Sequence, residues 1–144
     1  MKRGVPLFSV LMLAITVGIP LIAQTMVMKA NIPFDFVVGR KTLPAGEYTV
    51  STTGGSPVLR IQGDNVHAAA VTLTLSPREV LVAGDPARYT RLEFNRYGNQ
   101  YFLSEVDDGY IASGLVLPVS RLQREASKTA SLQHQEIVAV LAQR

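Results

Sequence analysis

Asn31-Ile-Pro-Phe-Asp-Phe-Val-Val-Gly-Arg-Lys-Thr-Leu-Pro-Ala-Gly-Glu-Tyr-Thr-Val50 is the stretch whose reading decides the fold. Ile32, Phe34, Phe36 and Val38 fall on every second position with Asp35 between the two aromatics. That is the alternation of a strand burying one face and wetting the other. Gly39 ends the run. Leu43-Pro44-Ala45-Gly46 places proline where a turn wants its φ fixed and glycine where the chain must leave without a steric penalty. Tyr48 and Val50 resume the alternation, so the stretch reads as strand, turn, strand. It predicts a β domain and carries no chemistry of its own.

Upstream, Met1-Lys2-Arg3 is a short positive start, and Val5 to Ala23 is apolar apart from Ser9, Thr16 and scattered glycine and proline. Charged start, apolar middle and small or polar end are the layout of a secretory signal. Residues 1–25 are therefore expected to be a cleaved signal peptide and residues 26–144 a single β domain. Cleavage after Ala23 would put Leu21 at the position where a small residue is preferred; cleavage after Thr25 would put Ala23 there. The alternative is an uncleaved anchor, since Val5 to Ile22 approaches the shortest membrane spans. Gly18, Pro20 and the following Ala-Gln-Thr favour removal.

Export changes the charge argument. The 144-residue chain has 14 Lys plus Arg against 11 Asp plus Glu, for a net charge of +3. Without Lys2 and Arg3 the balance is twelve against eleven, or +1. No run of four basic residues occurs, and single arginines scattered among apolar positions do not make a phosphate-tracking patch, so nucleic acid is not an expected partner. The absence of cysteine excludes a disulfide framework, a thiolate metal site and a lipoprotein anchor. The domain must be stabilised by its core alone, which its length permits.

Downstream, Thr53-Gly54-Gly55-Ser56-Pro57 and Gly63-Asp64-Asn65 are turn clusters around Val58-Leu59-Arg60-Ile61. Val66 to Leu75 places Ala69, Val71, Leu73 and Leu75 on one face and Ala68, Ala70, Thr72 and Thr74 on the other. The small second face implies close approach of another layer or a cavity. Ser76 to Pro86 reads as the longest loop. Two β-rich runs flank Gly98-Asn99, a dipeptide suited to a hairpin turn. A two-residue loop would pair Phe94 with Leu103 and Arg96 with Tyr101; a three-residue loop would pair Phe94 with Phe102. Ile111 to Leu117 is the next strand, with Gly114 marking a bulge or close approach. Ser120 then caps a short helix with Leu122, Ala126 and Ala130 at helical spacing. From Gln135, Glu-Ile-Val-Ala-Val-Leu-Ala is β-branched and continuously apolar. A strand is favoured over a helix there, partly because the first strand needs a partner on its open edge. The expected class is all-β, seven to eight antiparallel strands in a small barrel or a two-sheet sandwich, with one short helix near the C-terminus.

Candidate chemistry is sparse. A nucleophilic triad needs a histidine, and the two present are His67, in phase with Ala69 and Val71 and expected at the core edge, and His134, in a connection; neither accompanies a Gly-x-Ser-x-Gly elbow. Asp35 and Glu47 could face each other across the leading strand pair, and Glu105, Asp107 and Asp108 cluster before a turn. Paired carboxylates can hydrolyse glycosides at suitable separation. Alternation with core residues and the Asp-Asp-Gly turn explain the same acids without catalysis, and EF-hand spacing is absent. The aromatics Phe34, Phe36, Tyr48, Tyr89, Phe94, Tyr97, Tyr101, Phe102 and Tyr110, with Arg60, Arg91 and Arg96 among them, could form a stacking platform for sugars or single strands, or simply a core. A membrane barrel lacks support from the short strands and the absence of tryptophan and of repeating aromatic girdles.

Ile32-Pro33-Phe34-Asp35-Phe36-x-Val38-Gly39, Leu43-Pro44-Ala45-Gly46-Glu47-Tyr48-x-Val50, the run from Arg96-Tyr97-Gly98 to Tyr101-Phe102-Leu103-Ser104-Glu105-Val106, and Leu117-Pro118-x-Ser120-Arg121 together resemble a group of small, signal-bearing, uncharacterised bacterial proteins. The likeness spans about the whole mature chain and brings no activity and no functional residue with it. Leu43 to Val50 also resembles a segment of carboxypeptidase-regulatory-type β-sandwich modules, which implies a sandwich and a non-enzymatic role. The expectation is an exported, periplasmic or extracellular, non-catalytic β domain with a binding or structural role. It would present loops such as Ser76 to Pro86 to an unknown protein or envelope partner and touch the membrane only through its signal. No catalytic, cofactor-binding or metal residue is assigned. The alternative is a lipocalin-like barrel carrying an apolar ligand, which requires an enclosed cavity. A third reading, a carboxylate-based hydrolase, requires His67, Asp35, Glu47 and Glu105 to meet in a cleft.

Overall fold

The computed structural model describes residues 26–52, 56–75, 89–107, 109, 114–130 and 136–143. The leading stretch is two strands rather than one. Met26–Ile32 (β1) buries Met26, Met28, Ala30 and Ile32 and exposes Val27, Lys29 and Asn31. Pro33 has no N–H for a ladder, and after Asp35 the chain resumes as Phe36–Val38 (β2) in the other half of the sheet. The period of two survives the break, with Ile32, Phe36 and Val38 buried and Phe34 half-buried. A tight turn at Gly39–Arg40 leads into Lys41–Leu43 (β3), which pairs back on β2 with Phe36 opposite Leu43. Pro44 and Ala45 form a corner, and Gly46–Thr52 (β4) runs antiparallel to β1, from Ile32 opposite Gly46 to Met26 opposite Thr52. The turn expected at Leu43–Gly46 is thus that corner.

Val58–Gly63 (β5) and Ala69–Leu73 (β6) continue the antiparallel meander from β4. Arg91–Tyr97 (β7) and Gln100–Asp107 (β8) form a hairpin with Phe94 opposite Leu103 and Arg96 opposite Tyr101, the register of a two-residue loop. Gly98 sits at φ 61°, a conformation that suits glycine. A register shift between Glu93 and Phe94 sets Glu93 opposite Glu105. Leu115–Val116 (β9) pairs with β8. Arg121–Thr129 (α1) follows, with the Ser120 hydroxyl accepting from the Gln123 N–H at 3.1 Å as its N-cap. Glu136–Gln143 (β10) is a strand, antiparallel to both β1 and β7, and supplies the partner that the first strand lacked.

The result is a nearly closed, barrel-shaped sheet in the order β3-β2-β8-β7-β10-β1-β4-β5-β6, with β9 added on β8. Among the described residues seven strands have five or more residues, within the seven to eight expected, and β2, β3 and β9 are short additions. The inward side chains form one contiguous apolar cluster that includes Met28, Ile32, Phe36, Tyr48, Ile61, Leu92, Phe94 and Val106. Val37 and Phe102 are buried outside the inner cluster and line a groove whose far wall includes Leu122 and Ala126 of α1. Gln123, rather than Leu122, is the most buried residue of the helix. Residues 1–25, expected to be a signal peptide, and Ser76 to Pro86, expected to be the longest loop, lie outside the described residues.

Candidate functional site

The acids and histidine weighed for chemistry occupy separate elements. Asp35 lies between β1 and β2, where its Oδ1 accepts from the Ala45 N–H at 2.8 Å and so ties the corner together. Glu47 is exposed on β4, opposite Asn31. His67 is exposed in the β5–β6 connection instead of resting at the core edge. It keeps the phase of Ala69 and Val71, and that whole face turns to solvent. Glu105 sits with Glu93 and Asp107 on the outer face of the β7–β8 hairpin. His134, Asp108 and Tyr110 lie outside the described residues.

That outer patch is an ion-pair network. Arg91 Nε lies 2.9 Å from Glu93 and its guanidinium reaches Asp107 at 3.8 Å. Burial raises the Glu105 carboxyl above its ordinary range, Glu93 and Asp107 push it further, and Arg91 partly offsets them. Gly114 is buried flush against Glu105, the close approach its sequence position implied; a Cβ there would overlap the carboxylate. Among the described residues no group of three or more His, Asp or Glu is arranged to hold a metal ion.

The stacking platform is likewise dispersed into the core. Phe34 stacks on Tyr101 at 3.9 Å between centroids and meets Phe94 edge-on at 5.2 Å. Arg96 covers the Tyr101 ring at 5.4 Å while bonding the Gly98 carbonyl and Glu136, both at 2.9 Å. Phe34 and Tyr101 pack against the inner apolar cluster. Arg60 is on β5, and Arg91 belongs to the acidic network.

What the fold leaves open is the seam between its two ends. β6 and the β2–β3 hairpin approach each other without pairing. At one end the seam is stitched: the Leu75 N–H donates to the Val116 carbonyl at 2.8 Å, and the Leu117 N–H to the Ser104 carbonyl at 2.8 Å. Along Ala69–Leu73 no strand covers the outer edge of β6 among the described residues. The direction of its backbone groups follows from the ladder. Thr74 donates to the Pro57 carbonyl and Gly63 to the Ala68 carbonyl, so even-numbered residues of this segment bond toward β5. In an antiparallel pair the next residue points both groups the other way. Ala69, Val71 and Leu73 therefore aim N–H and C=O into the seam.

The small face of β6 turns inward, with Ala70 buried, while Val71 and Leu73 are 65% and 61% exposed on the outer face. Small inward residues let the sheet ends close on one another, which was legible in the sequence; that the apolar face would be the wet one was not. Val38, Gly39, Arg40, Lys41, Val58, Pro118 and Ala69 to Leu73 line an open groove along the seam. Its charged lining residues, Arg40 and Lys41, are both cations and exposed. Arg60, exposed opposite Val71 on β5, adds a third on the same side. None of the three has an ion-pair partner among the described residues. Neither Arg40 nor Lys41 stood out in the sequence, since a hairpin tip of two cations is ordinary surface until the fold sets it beside an open strand. Comparison with protein-family models, curated proteins and solved structures finds no match for this chain.

Proposed function

We propose that the mature chain is an exported, non-catalytic binding domain that takes an extended segment of a partner polypeptide into its open seam. The observation that carries this reading is the edge of β6, which no strand among the described residues covers and where three residues direct backbone donors and acceptors toward a groove flanked by exposed valine and leucine. Such an edge is a template for strand addition, in which main-chain hydrogen bonds supply affinity and alternate side chains supply selectivity. Apolar residues face inward on β1, β4 and β5, while Lys29, Asn31, Glu47, Arg60 and Gln62 face outward. That polarity is the reverse of a barrel embedded in lipid and supports a domain surrounded by water. The contiguous inner cluster favours strand addition over the carrier alternative, because side chains already occupy the space an apolar ligand would take. Dispersal of His67, Asp35, Glu47 and Glu105 weighs against the hydrolase.

The test is amide exchange measured residue by residue while the processed protein is titrated with a short, uncharged peptide alternating valine and threonine. Strand addition slows exchange at Val71 and Leu73 and leaves Ala70 and Thr72, already bonded to β5, unchanged. Protection elsewhere, or none at all, sinks the reading. Val71→Pro removes one seam-facing N–H without touching the β5 ladder and should weaken binding. Export itself is checked by sequencing the N-terminus of the protein recovered from the periplasm or medium, which should begin near Met26.

A further inference from the structure

We propose that the segment this seam selects is acidic: an extended stretch of a partner protein in which apolar side chains alternate with glutamate or aspartate. The inference rests on the strand-addition reading above and adds the chemistry of the occupant. A strand laid against β6 must present alternate side chains to the two sides of the sheet. One set turns inward, on the side of the buried Val38 and Ala70. The other turns outward, beside Arg40 and Lys41 of the groove and on the face that Val58 and Arg60 share with Val71, and no acid among the described residues neutralises these three cations. The acid–base contacts seen among the described residues lie elsewhere: Lys29 with Asp64, Arg91 with Glu93 and Asp107, Arg96 with Glu136, and Arg121 with Glu125. The seam is thus a strip of uniform sign beside an apolar edge. A second copy of this chain, docking β6 on β6, would bring its own Arg60 and hairpin cations against the same strip, and like charges at that distance oppose association. A carboxylate-bearing segment meets three cations that no acid among the described residues pairs with.

The experiment compares three synthetic peptides of one length and one valine pattern, with threonine, glutamate or lysine at the alternate positions, titrated against the processed protein at low and at physiological salt. The glutamate peptide is expected to bind about tenfold tighter than the threonine peptide at low salt, a preference that shrinks as salt screens exposed pairs. The lysine peptide should bind more weakly than either. Arg40→Glu combined with Lys41→Glu, both exposed and so without effect on the core, should reverse the order of the charged peptides. Equal binding of all three, with protection at Val71 and Leu73, would overturn the acidic preference and leave strand addition standing. No binding by any peptide would overturn both. Sedimentation showing that the free protein self-associates through β6, abolished by Val71→Pro, would replace the acidic partner with a second copy.

Discussion

The Tyr48 hydroxyl donates to the Pro44 carbonyl at 2.6 Å while its ring meets Phe36 edge-on at 5.1 Å between centroids. One side chain thereby fastens the β3–β4 corner to the packed interior. Tyr48→Phe keeps the ring and strands a carbonyl, and should cost about 1 kcal/mol in urea unfolding. Tyr48→Ala should cost ~3–5 kcal/mol, as for other large buried aromatics. Burial, and secondarily the Asp35 charge, raises the phenol above its ordinary value. A raised folded pKa means stability is intact below the unfolded tyrosine range and falls as pH climbs through it, so alkaline titration should show wild type losing stability that Tyr48→Phe does not lose.

Gly63 ends β5 where the chain doubles back, and a Cβ there would collide with the Val66 carbonyl and side chain. Backbone cannot swing aside as the far end of a long side chain can. Gly63→Ala should destabilise by ~1–3 kcal/mol, read from the urea midpoint at unchanged slope. A neutral result would mean that the 64–68 connection repacks freely.

Glu105 carries a carboxyl whose pKa is raised by burial, with Glu93 and Asp107 adding to the effect. The folded state therefore prefers it protonated, and the fold is penalised once pH exceeds the unfolded carboxylate range. Glu105→Gln should stabilise at neutral pH by less than ~1 kcal/mol, solvent screening the partly exposed group. The gain should vanish as pH falls below that range, where wild-type Glu105 is also neutral. A gain constant across pH would assign the effect to packing.

β10 is held between β7 and β1. Stopping the chain after residue 135 would bare two long edges at once, as well as the inward Val138 and Val140 positions. The shortened protein should aggregate or unfold under conditions where the full chain is monodisperse by light scattering. A soluble, folded truncation would show that the remaining strands can close without it.

The sequence by itself determined the class and most of the pairing: alternation at Ile32, Phe36 and Val38, the Gly98-Asn99 hairpin, the Ser120 cap and the β-branched tail at 136–143 are local signals, each legible within a few residues. Tertiary structure alone decided that Pro33 splits the opening run between the two halves of the sheet, that the small face of β6 turns inward, and that β10 enters between β7 and β1. It also decided the site. Arg40, Lys41, Val71 and Leu73 carry no motif, and they become a surface only because the sheet curls until its two ends meet without joining. Periodicity records which face of a strand is buried or wet. It is blind to which strand lies across the gap, since that depends on how the twist of every intervening strand adds up.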